Sequence, residues 1–144
     1  RSRNPVSESN PPQLSTSTRL LLDTNVAIDF INKPSIALAR MAPGTAMYVS
    51  SVILGELFFG ARNSSRLQVN LANVEHFAAA MNMLMVDTGT ARLYGEIRKS
   101  LETKGRRILE NDIWIAATAI LHSLPLATRD SHFDYVDGLK ILPW

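Results

Sequence analysis

Hydrophobic residues follow two alternating patterns from residue 19 onward. Short apolar runs of about four residues are separated by longer segments in which apolar positions recur with the period of an α-helix. This alternation is typical of successive βα units, whose strands form a parallel sheet covered by helices. The runs predict strands at residues 19–22, 46–49, 83–86, 125–128 and 139–142. The pattern therefore predicts an α/β fold with a parallel sheet of about five strands.

The segments with helical period predict six helices, and polar residues stand where three of them are expected to begin. Side chains of this kind satisfy the free amides of a first helical turn. The expected caps are Ser50 and Ser51, Asp87 and Thr88, and Asn111 and Asp112. The predicted helices span residues 25–31, 35–41, 52–61, 66–80, 90–103 and 112–121.

The first 18 residues differ in composition from the rest of the chain. They are rich in Ser, Asn and Pro and contain almost nothing that a core could bury. Such a segment is predicted to be a disordered tail. Residues 19–144 remain for the fold, which is enough for one compact domain with a hydrophobic core.

Composition and charge exclude several classes of protein. The chain is 46% hydrophobic with a formal net charge of +2, which is too small to indicate a polyanionic partner by itself. Cysteine is absent, so thiol nucleophiles, Cys-ligated zinc and disulfide scaffolds are excluded. The three histidines have neither the spacing of a zinc-binding helix nor a nucleophilic partner. With no apolar run near the length of a membrane span and no signal-like start, the sequence predicts a soluble cytoplasmic protein without a membrane partner.

Four acidic residues stand at positions where an open parallel sheet usually binds ligands. Asp23 and Asp130 each end an apolar strand, and Asp112 opens a strongly apolar helix. Glu56 lies within an apolar helix that offers no Lys or Arg three or four positions away. Taken singly, the aspartates fit capping or turn roles equally well, and a distant arginine would explain Glu56. Asp23 and Asp130 can meet at one edge of the sheet if their strands are neighbours, and helix starts that follow strands lie at the same edge, so the joint arrangement of the four acids favours a functional site.

A group of converging carboxylates predicts a hard divalent cation. Without one, the acids would repel each other and take up protons, whereas Mg²⁺ or Mn²⁺ would hold them ionised. Such a site is typical of phosphodiester hydrolysis, in which the metal activates water and stabilises the leaving oxygen. Thr24 and Thr128 stand beside the acids, where their hydroxyl groups are expected to orient the carboxylates.

Four short blocks, in this order and spacing, resemble the signature of PIN domains, and most closely the VapC-type toxins of toxin–antitoxin pairs. They are LLDTN at 21–25, SVILGE at 51–56, NDIWIAA at 111–117 and LATRD at 126–130. The resemblance extends from residue 19 to the terminal Leu-Pro-Trp. It implies a three-layer sandwich around a central parallel sheet, and a metal site formed by Asp23, Glu56, Asp112 and Asp130. It also implies cleavage of single-stranded RNA, a homodimer, and inhibition by a small antitoxin.

Several further residues are candidates for this activity. Glu110 and Asp134 are spare acids near the four blocks and are candidates for extra metal ligands. Arg129, beside Asp130, is expected to contact the RNA backbone, whereas the basic segment at residues 92–107 fits an ordinary solvated helix face better. Residues 57–59, Leu-Phe-Phe, fit either a buried helix face or a groove for an antitoxin helix.

Three other functions are compatible with parts of this pattern. A housekeeping PIN nuclease would process or degrade RNA without an antitoxin. A phospho-receiver domain also binds Mg²⁺ at a sheet edge and would use Asp87, but it requires a paired acid and a lysine that are missing here. An inactive PIN-like module would be expected to lack one or more of the four acids, and all four are present.

Overall fold

The computed structural model describes residues 18–144 and contains a central sheet of five parallel strands. The sheet order is β3-β2-β1-β4-β5, and each neighbouring pair runs parallel. The strands are β1 (Arg19–Leu22), β2 (Ala46–Ser50), β3 (Asn82–Leu84), β4 (Leu126–Thr128) and β5 (Ile141–Pro143). The predicted α/β fold with a five-stranded parallel sheet is confirmed. The predicted disordered tail lies outside the described residues except for Thr18, whose carbonyl accepts a hydrogen bond from the Ala46 amide.

Six α-helices and one short 3-10 helix connect and cover these strands. Every residue of β4, and every residue of β1 after Arg19, is buried. Because neighbouring residues of a strand point to opposite faces, both faces of the central strands are covered. The helices are α1 (Thr24–Asn32), α2 (Pro34–Ala39), α3 (Ser51–Arg62), α4 (Leu67–Ala80), α5 (Thr88–Thr103) and α6 (Glu110–Leu121), with the 3-10 helix at Ser131–Tyr135.

The strand order creates a switch point between β1 and β4. From β1 the chain moves outward through β2 to β3, then returns to place β4 on the other side of β1. Adjacent connections on opposite sides leave a crevice beyond the carboxyl ends of those two strands. Asp23 directly follows β1, and Asp130 lies two residues after β4. The fold therefore brings two of the predicted site residues to the position where open α/β sheets bind ligands.

The ends of the third, fourth and fifth strands differ from the prediction. The third strand ends at Leu84 instead of residue 86, and Met85 beyond it is 65% exposed because β3 is an edge strand that pairs over only three residues. The fourth and fifth strands are also shorter or shifted, at Leu126–Thr128 and Ile141–Pro143. Strand ends are set by the partner strand, which a local apolar run does not reveal.

Two of the three predicted helix caps are present and one is wrong. Ser50 accepts a hydrogen bond from the Ile53 amide at 3.2 Å, and Asp87 forms a capping box with Thr90. Helix α6 instead begins at Glu110 after Leu109, which provides no side-chain cap. Asp112 therefore lies within the first turn, where its carboxylate is not used for capping. Along residues 18–144, none of the helices has the length and apolar character needed to cross a bilayer.

Candidate active site

Asp23 joins the carboxyl ends of the two central strands. Its amide donates to the Ala127 carbonyl at 3.0 Å, and the Thr128 hydroxyl donates to its Oδ2 at 2.7 Å. Its Oδ1 accepts the Thr24 amide at 2.8 Å, so the same carboxylate also caps α1. Only 5% of Asp23 is exposed. Burial is the largest influence on this group and raises its pKa, although Thr128 and Thr24 act in the opposite direction.

Glu56 links three helices at the same edge of the sheet. The Thr24 hydroxyl donates to one of its carboxylate oxygens, and the Asn111 amide donates to the other at 3.0 Å. Thr24 begins α1 and Asn111 lies in the first turn of α6, so Glu56 in α3 is fixed between them. Within residues 18–144, no Lys or Arg forms an ion pair with Glu56. The distant arginine that would have given this half-buried acid a purely structural role is therefore missing from the described chain.

Asp112 is a half-buried carboxylate that accepts no hydrogen bond from the described residues. Burial, followed by the charges of Asp23, Asp130 and Glu56, raises its pKa to about 6. The influence of all three other acids means that the four carboxylates share one electrostatic environment. Asp112 is the member of this group that most needs a positive partner.

Asp130 completes the group and begins the 3-10 helix. It accepts the His132 amide at 2.9 Å, and its Oδ1 lies 2.7 Å from His132 Nδ1. The Asp130 amide donates to the Thr128 hydroxyl at 3.0 Å, so Thr128 connects Asp130 with Asp23. Thr128 therefore fixes the relative position of two acids that follow neighbouring strands.

The chemistry of this group fits a hard dication, although the side chains are not yet arranged as ligands. Four carboxylates, whose like charges repel one another, supply the oxygen donors that Mg²⁺ and Mn²⁺ prefer. As they stand, no three Asp, Glu or His side chains of residues 18–144 are grouped so that they could hold one metal ion. Binding would require the carboxylates to turn toward one another, and a dication would favour this by cancelling their repulsion. The donor set fits, and its closure around an ion is a proposal.

The remaining candidates occupy different surroundings. Glu110 accepts a hydrogen bond from the Tyr94 hydroxyl and lies 3.7 Å from Arg98, on the side of α6 that faces α5. Asp134 is exposed on the 3-10 helix. Arg129 donates to Asp29 at 2.5 Å and to the Asn25 carbonyl at 3.3 Å. Its contact with RNA stays a prediction.

Sequence reasoning set aside or missed two residues that contact this group and one, Asp29, that lies outside it. Asn111 fits a capping role or a role beside the acids equally well from sequence, and in the structure its side-chain amide holds Glu56. His132 had been treated as structural or surface, and it pairs with Asp130. Asp29 carried no local signal at all, because its partner Arg129 lies 100 residues further along the chain. Only the tertiary fold reveals such pairs.

The raised pKa of Asp112 predicts an unusual dependence of stability on pH. The metal-free protein is expected to lose stability as the pH rises from about 4 to about 6, since the folded state keeps a proton that the unfolded chain releases near pH 3.8. The lowered pKa values of Asp29, Asp87 and Asp137 act in the opposite sense, but below this window. Urea unfolding at stepped pH, compared with Asp112→Asn, measures the effect. A wild-type stability that rises across this window relative to the variant would contradict it.

Comparison with known proteins agrees with the fold. Open α/β sheets bind ligands at the switch point of their strand order, and in this chain acidic residues follow the two strands at that point. The sequence profile of the PIN domain matches residues 20–139, and the chain belongs to the PIN-domain family. Nucleases of this family generally use divalent metal ions.

Within that family, its relatives are VapC ribonucleases, as the sequence resemblance indicated. The chain is 35% identical to the tRNA(fMet)-specific endonuclease VapC of Shigella flexneri, over 88% of this chain and 98% of that protein. A solved VapBC complex of Salmonella typhimurium bound to DNA is similar, with a TM-score of 0.80 and 35% identity over 88% of this chain and 98% of the solved chain. The VapBC2 complex of Rickettsia felis bound to a promoter fragment also gives 0.80, at 28% identity over 88% and 99%.

The receiver-domain alternative is not supported by these findings. Asp87, which such a domain would phosphorylate, accepts the Thr90 amide and hydroxyl, each at 3.0 Å, as the cap of α5. The chain belongs to the PIN-domain family, not to the receiver domains.

Proposed function

We propose that this chain is a metal-dependent endoribonuclease and the toxin of a toxin–antitoxin pair. The observation that carries the catalytic part is the group of four carboxylates at the β1/β4 edge, with Asp112 raised to a pKa of about 6 by burial and by the other three. Hydrolysis of a phosphodiester needs positive charge at the attacking and leaving oxygens. Acids alone cannot supply it, so this group requires a cation.

Asp23, Glu56, Asp112 and Asp130 would hold Mg²⁺ or Mn²⁺. When bound, such an ion lowers the pKa of water and stabilises the charge on the leaving oxygen. Thr128 would keep Asp23 and Asp130 in register through its hydroxyl, which donates to one and accepts from the other. Thr24 and Asn111 would hold Glu56 between α1 and α6. These contacts restrain three of the four acids, Asp23, Glu56 and Asp130.

The biological role is proposed from the relatives. Curated relatives at this identity are named ribonucleases, and solved relatives are toxin–antitoxin complexes. A small antitoxin is therefore the proposed partner, and the predicted homodimer remains part of the proposal. The apolar segment after Glu56 is partly a buried helix face and partly a surface that a partner could contact. Leu57 is buried, Phe58 is partly buried and Phe59 is 66% exposed. Phe59 is thus the member of that segment available to a partner.

Cleavage of labelled single-stranded RNA tests the catalytic proposal. Protein stripped of metal is incubated with Mg²⁺, with Mn²⁺ or with EDTA, and single-stranded DNA of the same sequence serves as the control substrate. We expect internal cuts in the RNA with either metal and none in EDTA. Undiminished cutting in EDTA would contradict the metal-dependent mechanism, and a failure to cut any RNA with either metal would contradict the assignment as a ribonuclease.

A further inference from the structure

Arg129 is the cation closest in sequence to the acidic group, yet it does not pair with any of the four acids. It lies between Thr128 and Asp130, directly beyond the end of β4. Its Nη1 is 2.5 Å from Asp29 Oδ2, and its Nη2 donates to the Asn25 carbonyl at 3.3 Å. Across residues 18–144, the ion pairs of the four acids include no Lys or Arg, and His132 is the one basic side chain among them. The Arg129 guanidinium is thus held by Asp29 and Asn25 and forms no ion pair with the four carboxylates.

Asp29 is itself held in place by the last residue of the chain. The Trp144 indole Nε1 donates to the same Asp29 oxygen at 2.9 Å, so this oxygen receives two donors. The Trp144 amide donates to the Thr128 carbonyl at 3.1 Å, which ties the indole to the end of β4. The indole also packs 5.7 Å from the Phe30 ring, centroid to centroid. The side chain of Asp29 therefore has a fixed direction toward Arg129.

Charge supports a role for this arrangement beyond packing. The hydrogen bond from Arg129, followed by that from Trp144, lowers the pKa of Asp29, so it is a permanent negative charge at neutral pH. An arginine pairs strongly with carboxylates through two parallel hydrogen bonds. If Arg129 were released next to Asp130, the half-buried acids without a positive partner would be its natural acceptors. A guanidinium there would compete with a divalent ion for the same oxygens.

We propose that Asp29 is a positioning residue that holds the Arg129 guanidinium away from the four carboxylates, which leaves their charge available to a divalent ion. This inference rests on the proposed metal-dependent function. Asp29 would affect metal binding only through Arg129. Removing Arg129 should therefore cancel the effect of removing the Asp29 charge.

Mn²⁺ affinity, measured by titration calorimetry on metal-free protein, tests this with two variants of Asp29 and one double variant. Asp29→Asn keeps the size of the side chain and an oxygen for Trp144 while removing the charge. It is expected to weaken Mn²⁺ binding about tenfold, since a freed cation near the site costs roughly that factor against a dication. Asp29→Asn combined with Arg129→Gln is expected to recover wild-type affinity within about threefold. Asp29→Glu, which keeps the charge but alters the hydrogen-bond geometry, is expected to bind Mn²⁺ like the wild type.

The possible results separate the two proposals. Wild-type protein that binds no Mn²⁺ would overturn the metal site and this inference together. Wild-type binding with equal affinity in Asp29→Asn would overturn only the role of Asp29. A double variant as weak as Asp29→Asn, or an Asp29→Glu variant equally weak, would show that Asp29 acts through packing and would also overturn it. Melting temperatures of all four proteins show which are folded, and Asp29→Ser, which also removes the charge, takes the place of Asp29→Asn in both the single and the double variant if Asp29→Asn is unfolded.

Discussion

Replacing Asp112 by asparagine is expected to reduce metal-dependent RNA cleavage about a thousandfold, because several kcal/mol of transition-state stabilisation depend on a correctly held ion. The substitution keeps the shape of the side chain. It also disturbs little else, since Asp112 accepts no hydrogen bond from the described residues. Single-turnover cleavage of labelled RNA with saturating Mn²⁺ measures the loss of activity.

The same variant should be more stable than the wild type when no metal is present. With a pKa of about 6, ionised Asp112 opposes folding at neutral pH, and asparagine carries no charge. After allowance for solvent screening of this half-exposed group, the gain is about 1 to 2 kcal/mol. Urea unfolding at pH 7 in EDTA measures this gain.

A matched control distinguishes the loss of a carboxylate at the site from the loss of a carboxylate elsewhere on the protein. Asp137→Asn removes an exposed acid that pairs with Lys104 and lies in none of the contacts of the acidic group. It should retain cleavage within about threefold and gain no stability, because surface ion pairs contribute little. If Asp112→Asn cut RNA as fast as Asp137→Asn does, Asp112 would have no part in catalysis.

Lower activity combined with higher stability is the signature of a site that strains the fold. Like charges collected at the β1/β4 edge destabilise the protein in the absence of an ion, and their function requires that they stay together. Thr128 and Asn111 oppose this repulsion by donating hydrogen bonds to Asp23 and Glu56. The loss of stability caused by this repulsion is therefore confined to the site, and binding of the ion would offset it.

The acidic positions were predictable from the sequence because they depend on simple periodic patterns. The uninterrupted apolar run before Asp23 indicates a strand buried on both faces, and an acid at its carboxyl end marks the edge of the sheet where ligands bind. The apolar turns after Asp112 similarly indicate a helix buried against that sheet, as the buried residues Ile113 to Ala119 of α6 show, apart from half-buried Trp114. Periodicity reports burial directly, so these elements were found correctly.

Features that depend on distant partners were not predictable in this way. Helix α6 starts at Glu110, two residues earlier than its polar residues suggest, after Leu109, which provides no capping side chain. The Asn111 amide reaches an acid 55 positions away, and Asp29 meets Arg129 across 100 positions. No local pattern distinguishes these residues from surface ones. The predicted acids are thus the part of the site that sequence reveals, and the contacts that hold them are the part that needs the fold.

Phe133→Ala is expected to cause the largest loss of stability, about 3 to 5 kcal/mol of a total near 5 to 15 kcal/mol. Phe133 is 0% exposed and is the buried residue of the 3-10 helix that Asp130 caps, so its removal leaves a cavity beneath that helix. Phe59→Ala deletes the same atoms from a side chain that is 66% exposed, and it should change stability by only about 0.5 kcal/mol. Thermal and urea unfolding of the two variants separate the effect of burial from the effect of removing a phenylalanine side chain. Equal losses in both would mean that the segment after Asp130 is not anchored by Phe133, and the position of that acid would need another explanation.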